Sequence, residues 1–137
     1  MIVTTSRDPS AKARRFARAL ASFLSLPYVN RGKQRTGEDE TWLVVIEDHG
    51  NPAGLVKRSS ENVGQLSFQL SGDTQAMRLK KSVPKVAGKG MDAHPIAQFF
   101  ELEWLGDAAP AQGRVIWVAS GNIDFIDEGQ AKFRLKI

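Results

Sequence analysis

The sequence contains no cysteine. Disulfide frameworks, thiolate nucleophiles and cysteine-ligated zinc are therefore excluded, and a reducing cytosolic compartment fits this composition. The N-terminus has no apolar core of a secretory signal, and no apolar run approaches the roughly 20 residues that span a bilayer. We therefore expect a cytoplasmic protein that makes no membrane contact. Its 137 residues are enough for one domain with a core of its own.

Motifs for catalysis are also missing. The two histidines stand apart, His49 in a predicted turn and His94 before a predicted helix, without the spacing of a metal-binding pair. Lys89 lies between two glycines, but neither the Walker glycine spacing nor a following Ser or Thr is present. No G-x-S-x-G or G-x-G-x-x-G occurs. The sequence thus predicts no phosphate-binding loop and no metal centre.

The carboxylates do not form a convincing acid/base pair either. Glu101 and Glu103 are two residues apart on a predicted helix, where such neighbours point in different directions. Asp124 and Asp127 could bind a cation, but an acidic hairpin edge is the simpler interpretation. We therefore expect no enzymatic activity and no cofactor.

What the chain does have is positive charge concentrated in two windows. The net charge is only +4, yet thirteen of the nineteen Lys and Arg residues lie at residues 7–35 and 78–89. An anion-binding face and a solvated surface with chance clustering are both compatible with this pattern. The cations are Arg7, Lys12, Arg14, Arg15, Arg18, Arg31, Lys33 and Arg35 in the first window, and Arg78, Lys80, Lys81, Lys85 and Lys89 in the second.

The first window includes a predicted amphipathic helix from about Pro9 to Ser25, with Asp8 as its N-cap. Apolar residues at helical spacing predict a buried stripe, and Arg14, Arg15 and Arg18 are expected on the outer face. Exposed helices usually mix acids with bases, but no acid follows Asp8 before residue 38. A helix that tolerates this repulsion is typical of a protein with an anionic partner.

The turn before this helix offers a second interpretation. The run from Thr4 to Arg7 joins a short strand to the helix, and backbone N–H groups at such a turn can bind phosphate. Asp8, however, would bring its own carboxylate to the helix start. Simple capping is therefore favoured over a discrete phosphate site.

The remaining pattern predicts two similar halves, at about residues 1–60 and 61–137, each a helix followed by an apolar hairpin. The segment 78–90 reads mainly as loop, and 59–64 reads as a linker. This repetition indicates an α/β (α+β) fold with a small mixed sheet and a helix in each half. The predicted helices are Pro9–Ser25 and Pro95–Leu105, the hairpins Thr41–Lys57 and Arg114–Ile126, and further strands Ile2–Thr5, Leu66–Leu70 and Gln130–Ile137.

The opening strand and turn at residues 2–11, the basic helix, and the loop from Val29 to Lys33 together resemble the start of Brix-domain proteins. The length also resembles that of short archaeal members of this family. The strand at 43–47 and the turn at 50–55 are similar to the family's central hairpin. One departure is that only residues 34–40 occupy the place of the family's usual second helix.

The resemblance implies a single Brix domain over residues 1–137, with two halves like the anticodon-binding domain of class IIa tRNA synthetases. It also implies a non-enzymatic, archaeal-type ribosome biogenesis factor that binds ribosomal RNA or its precursor and assists rRNA processing and assembly. By position, Arg7, Asn30, Arg31 and Lys33 fall on the family's motif. Assignment of the other cations to an RNA-binding surface is an electrostatic inference.

We therefore expect an RNA-binding monomer, with ribosomal or assembly proteins as further partners. Tyr28 and Trp42 could stack on bases, although the apolar surroundings of Trp42 favour a core position. The alternative is a protein-interaction module in ribonucleoprotein assembly with only weak, non-specific RNA contact. The predicted RNA-binding residues are Arg7, Lys12, Arg14, Arg15, Arg18, Asn30, Arg31, Lys33, Arg35, Lys80, Lys81, Lys85 and Lys89.

Overall fold

The chain divides into two units, Met1–Lys81 and Ser82–Ile137, in a computed structural model that describes residues 1–30, 39–60, 63–75, 77–108 and 112–137. The first unit contains β1 (Ile2–Thr5), α1 (Ala11–Leu24), β2 (Trp42–Asp48), β3 (Asn51–Arg58), β4 (Val63–Ser67) and the short strand β5 (Gln69–Leu70). The second unit contains β6 (Lys85–Gly88), α2 (Ala93–Phe100), β7 (Arg114–Ala119), β8 (Asn122–Asp127) and β9 (Gln130–Lys136).

The two units repeat one topology. In the first, the strand order is β1-β2-β3-β4, with β1 parallel to β2 and the other pairs antiparallel. In the second, β6-β7-β8-β9 follow the same order, with β6 parallel to β7. A parallel pair of neighbouring strands needs a crossover, which α1 and α2 provide. The predicted fold of two similar mixed sheets, each with a helix, is confirmed.

The repeat extends to the chain segment that follows each helix. Both helices end at a C-cap in the left-handed conformation, Ser25 with φ 56° and Glu101 with φ 55°. Three residues later, Tyr28 forms a parallel bridge with Val3 of β1, and Trp104 forms one with Val86 of β6. The returning segment therefore covers the outer edge of the first strand in each unit, which protects it from pairing with another chain.

Helix α1 begins two residues later than the sequence predicts. Ser10 is the N-cap, and its Oγ accepts a hydrogen bond from the Ala13 N–H. Asp8 has a positive φ of 53° and lies before the cap, so its predicted role as N-cap is wrong. Aspartate, like asparagine, adopts a positive φ more readily than most residues, so Asp8 can occupy the turn before the cap.

Three other boundaries differ from the prediction. Helix α2 spans Ala93–Phe100 rather than Pro95–Leu105, because the backbone reverses at Glu101 without a glycine to mark the end. The segment read as loop contains β6, which is only four residues long and follows a proline. The segment read as a linker enters β4, which pairs with β3. The division suggested near residue 60 would separate these two paired strands.

Each helix buries its apolar face on its own sheet. In the first unit, Phe16 packs against Phe68 with the ring centroids 5.4 Å apart, next to fully buried Leu20. In the second, Phe100 meets Phe125 at 6.4 Å edge to face, and Phe125 stacks on Phe133 at 4.3 Å. Aromatic contacts of this kind add about 0.5–1.5 kcal/mol to the area that they bury. The apolar stripe predicted for α1 is therefore confirmed as core.

Gly88 provides a test of the second sheet. A Cβ there would lie 2.1 Å from the carbonyl oxygen of Val118, which is backbone and has no side-chain freedom to yield. We expect Gly88→Ala to lower the free energy of unfolding by about 3 kcal/mol, measured by urea denaturation, because β6 must move away from β7. Gly50→Ala is the control, since its Cβ meets open space and only a positive φ opposes it, at about 1 kcal/mol. Equal losses for both variants would contradict the close β6–β7 approach.

Candidate nucleic-acid interface

An extended segment at residues 77–81 runs beside α1 and brings cations from both sequence windows together. The backbone N–H of Leu79 donates to Ser22 Oγ at 3.0 Å, which fixes this segment against the helix. Between them lies a cleft of about 740 Å³. Its lining consists of Arg15, Arg18, Ser22, Tyr28, Met77, Arg78 and Leu79. Three arginines thus line one concave site, although Arg78 is distant from the other two in sequence.

Arg15 is held at one side of this cleft by an ion pair. Its Nη2 lies 2.7 Å from Asp73 Oδ2, and both side chains are about half exposed. The hydrogen bond from Arg15 lowers the pKa of the Asp73 carboxyl below its ordinary value, opposed in part by desolvation. Because solvent screens an exposed pair, a stronger anion can compete with Asp73 for the guanidinium.

Arg18 stacks on the aromatic ring at the other side of the cleft. Its guanidinium carbon lies 5.5 Å from the Tyr28 ring centroid, within the range of a cation–π contact. Arg18 is exposed, whereas Tyr28 is half-buried because its backbone pairs with β1. This contact keeps the guanidinium near the ring while leaving Arg18 accessible to a ligand.

The positive surface continues past the cleft toward the end of α1. Lys81 lines a smaller hollow of about 250 Å³ that shares Ser22 and Leu79 with the main cleft. Lys80 and Lys81 are both exposed. Of the predicted RNA-binding residues, the structure thus brings Arg15, Arg18 and Lys81 to one side of α1.

Other predicted residues lie elsewhere. Lys12 donates to Asn51 Oδ1 at 3.0 Å, at the β2–β3 turn. Arg14 is half-buried with its Nε enclosed, so it does not share the full exposure expected for it. Lys85 Nζ lies 3.1 Å from Glu103 in the second unit, which also contains exposed Lys89. Arg7 and Asn30 are exposed in the first unit, and Arg31, Lys33 and Arg35 lie outside the described residues, as does most of the segment 34–40.

The start of α1 is already occupied by a carboxylate of the protein itself. Glu47 Oε1 accepts the backbone N–H of Ser10 at 2.7 Å and also the Ser10 hydroxyl. Thr4 and Thr5 are buried, and the Thr4 hydroxyl donates to the carbonyl of Val29. The capping interpretation is therefore preferred over a phosphate site, with Ser10 and Glu47 in the place expected for Asp8.

The remaining polar candidates have structural partners. Asp127 pairs with buried Arg114 at 3.1 Å, and Asp124 pairs with Arg134, so these carboxylates neutralise arginines. Within the described ranges, no three His, Asp or Glu residues are grouped as a metal site would require. Trp42 is half-buried in β2.

Comparison with known proteins assigns the family. The chain is 30% identical to a probable Brix domain-containing ribosomal biogenesis protein of Methanosarcina mazei, in an alignment of 153 positions that covers all of this chain and 96% of the relative. The chain belongs to the Brix-domain ribosomal biogenesis proteins. A relative of the same description from Methanothermobacter thermautotrophicus is 40% identical over 111 positions, covering 75% of this chain and 71% of that one. No protein-family model matches the chain.

Solved structures support the Brix-type fold. The crystal structure of Mil, an archaeal Imp4-like protein, superposes with a TM-score of 0.78 at 24% identity, covering 100% of this chain and 96% of Mil. The crystal structure of a probable ribosomal biogenesis protein from Aeropyrum pernix K1 superposes with a TM-score of 0.67 at 18% identity, covering 98% of this chain and 92% of that one. Across the described part of this Brix-domain chain, neither helix has the length and apolar character needed to cross a bilayer.

Two polar residues of the cleft, Arg78 and Ser22, are not among the residues that the sequence predicts as RNA ligands. Arg78 opens the second cation window, but only lysines of that window are in the predicted set. Ser22 gave no signal beyond its place on the helix face. Ser22 could be found from the sequence, because it lies on the same face of α1 as Arg15 and Arg18. The position of Arg78 is visible only in the structure, where the Leu79–Ser22 hydrogen bond places its segment beside α1.

The Arg15–Asp73 pair predicts a measurable titration. We expect Arg15→Gln to raise the pKa of the Asp73 carboxyl toward its ordinary value, because the hydrogen bond and the nearby charge are both removed. Carboxyl carbon chemical shifts followed through an acid titration measure this change. In the parent protein, the pair stabilises the fold at neutral pH and loses this effect as pH falls through the lowered Asp73 pKa.

Arg58→Gln is the matched control, since it removes an exposed arginine of the same unit that does not act on Asp73. An Asp73 titration that is the same in all three proteins would show that the ion pair is not formed in solution.

Proposed function

We propose that this Brix-domain protein is a non-enzymatic assembly factor that holds ribosomal RNA or its precursor on the cleft beside α1. The observation that carries this proposal is the convergence of Arg15, Arg18 and Arg78 on one concave surface. Guanidinium groups can donate two parallel hydrogen bonds to a phosphate, so a cluster of three matches a backbone better than it matches an isolated carboxylate. Binding would release condensed counterions and depend strongly on salt.

The stacked pair of Arg18 and Tyr28 supports RNA over a generic polyanion. Bases in single-stranded loops and bulges stack on aromatic rings and on guanidinium planes. Arg18 offers such a guanidinium group at the cleft, 5.5 Å from the Tyr28 ring centroid. An acidic peptide would use the charges of the cleft but would gain nothing from this surface. The cleft therefore combines phosphate contacts with a place for an unpaired base.

In this proposal the protein works as a cytoplasmic monomer that positions RNA during assembly, with ribosomal or assembly proteins as further partners. Catalysis is not part of it, because the cleft is lined by arginines, one serine, one tyrosine and apolar side chains. Histidine and carboxylates, the usual general bases, are not among the residues that line it.

Removal of the three arginines tests the proposal directly. We expect the triple variant Arg15→Ala, Arg18→Ala and Arg78→Ala to remain folded but to bind a ribosomal RNA fragment more weakly. If each arginine meets one phosphate, the slope of log K against log salt should fall by about 2–3 units. Filter binding at several salt concentrations, with circular dichroism as a check of folding, gives both quantities.

The control removes the same charge from positions outside the cleft, through Arg58→Ala, Lys132→Ala and Lys136→Ala. If both triple variants lost the same RNA affinity, net charge alone would explain binding and the cleft would have no special role. Equal affinity of the parent protein for a random acidic polypeptide would instead favour the alternative, a protein-interaction module with non-specific RNA contact.

Removal of the Asp73 carboxylate should raise the affinity for RNA. Asp73→Asn removes the carboxylate that competes for Arg15, so we expect RNA to bind about 2- to 5-fold more tightly, the range of an exposed ion pair. Asp107→Asn makes the same charge change at an exposed position in the second unit and should have less effect. Filter binding at low salt compares the two variants. A larger gain for Asp107→Asn would show that Arg15 is not a phosphate ligand.

A further inference from the structure

The second unit has a counterpart of the Arg18–Tyr28 stack. His94 lies seven residues before the C-cap Glu101, just as Arg18 lies seven residues before the C-cap Ser25. Trp104 bridges Val86 in β6, just as Tyr28 bridges Val3 in β1. His94 stacks on Trp104 with the ring centroids 5.3 Å apart and an angle of 22° between the planes. The repeat thus places a planar group from the helix on an aromatic ring in both units.

The two stacks also share their exposure. Arg18 and His94 are exposed, while Tyr28 and Trp104 are half-buried beneath them. Since one face of the imidazole lies on the indole, its other face is turned away from the ring that supports it. Because His94 is exposed, a flat ligand such as a base can reach its ring.

Two positions that correspond by their distance from the C-cap differ in side chain between the units. The position equivalent to Arg15 holds Met91, which is 92% exposed and stands two residues before α2 begins. The position equivalent to Ser22 holds Gln98, which is also exposed. An apolar thioether and an amide suit the faces and edges of a base, whereas the cleft of the first unit suits a phosphate.

We propose that His94 and Trp104 form a second RNA contact, which takes an unpaired base by stacking. This proposal rests on the proposed RNA-binding function and adds the class of RNA: single-stranded segments rather than duplex. Bases in an A-form helix already stack on one another and are closed to such a platform, whereas bases in loops and bulges can add to it. Stacking on one aromatic group changes affinity by about 5- to 150-fold per base when that group is removed.

The experiment separates stacking from charge at this single position. Binding of a 12-nucleotide single-stranded RNA and of a duplex RNA of equal charge is measured by fluorescence anisotropy for three variants of the full chain. We expect His94→Ala to lower the affinity for the single strand at least 5-fold and the affinity for the duplex less than 2-fold. His94→Phe, which keeps a planar ring, should restore binding, whereas His94→Lys, which keeps only a cation, should not. Restoration by His94→Lys alone would overturn the proposal.

Nuclear magnetic resonance gives a direct readout that does not require a variant. The chain has only two histidines, and His49 at the β2–β3 turn is an internal control in the other unit. We expect the single strand to move the His94 ring protons upfield through the ring current of the base and to leave those of His49 in place. Unchanged His94 signals at saturating RNA, or signals that move only with ribosomal proteins, would overturn the proposal.

These outcomes are distinguishable from a failure of the proposed function. Loss of RNA binding in the Arg15, Arg18 and Arg78 variant, together with full binding by His94→Ala, would keep the cleft of the first unit and reject the second contact. Absence of RNA binding by the parent protein would reject both.

Discussion

The parallel pairing of the first two strands in each unit is the constraint on which the rest of the structure depends. Two parallel neighbours cannot be joined by a tight turn, so β1 and β6 must each be followed by a helix before the next strand begins. The helix buries its apolar face on the sheet and leaves its outer face to solvent. Each unit therefore has one exposed helical face at a fixed place relative to its first strand.

The same pairing determines where the chain goes after each helix. The first strand lies at the sheet edge, and the returning segment pairs with it, through Val3 and Tyr28 in one unit and Val86 and Trp104 in the other. The left-handed C-caps at Ser25 and Glu101 turn the backbone toward that edge. As a result, an aromatic side chain from the returning segment lies beneath a residue of the helix in both units. The candidate contacts are thus consequences of how the fold covers a sheet edge.

Much of this fold could be predicted from the sequence, because α1 and the two hairpins show strong periodicity and clear turn residues. The apolar residues of α1 recur at helical spacing, and the hairpin β7–β8 turns at Ser120 and Gly121. The predictions failed where the local signal is weak. β6 has four residues and begins with a lysine, and α2 ends at Glu101, a residue type that does not usually mark a helix end. The cap is Ser10 and not the predicted Asp8. Its backbone N–H donates to Glu47, a contact that depends on the fold and is not visible in the sequence.

The candidate site was less predictable than the fold. Charge counting identified Arg15 and Arg18, but it gave equal weight to Lys12 and Lys85, whose partners Asn51 and Glu103 are visible only in the structure. The place of Arg78 depends on one hydrogen bond, from the Leu79 N–H to Ser22 Oγ, in a segment that has no periodicity. The stack of His94 on Trp104 could not be seen either, since it depends on the register of a single bridge with Val86.

The divergence of the two stacks indicates a division of roles within one repeated architecture. Under the proposed function, Arg15 and Arg18 give the first unit a positive field that attracts RNA over about 10 Å at moderate salt. In the second unit, His94 is stacked on Trp104 and Met91 is exposed, and such groups act only at contact. Attraction by charge does not distinguish paired from unpaired RNA, whereas stacking requires an accessible base. Under the proposed function, charge in the first unit attracts RNA of either kind, and stacking in the second unit selects unpaired bases.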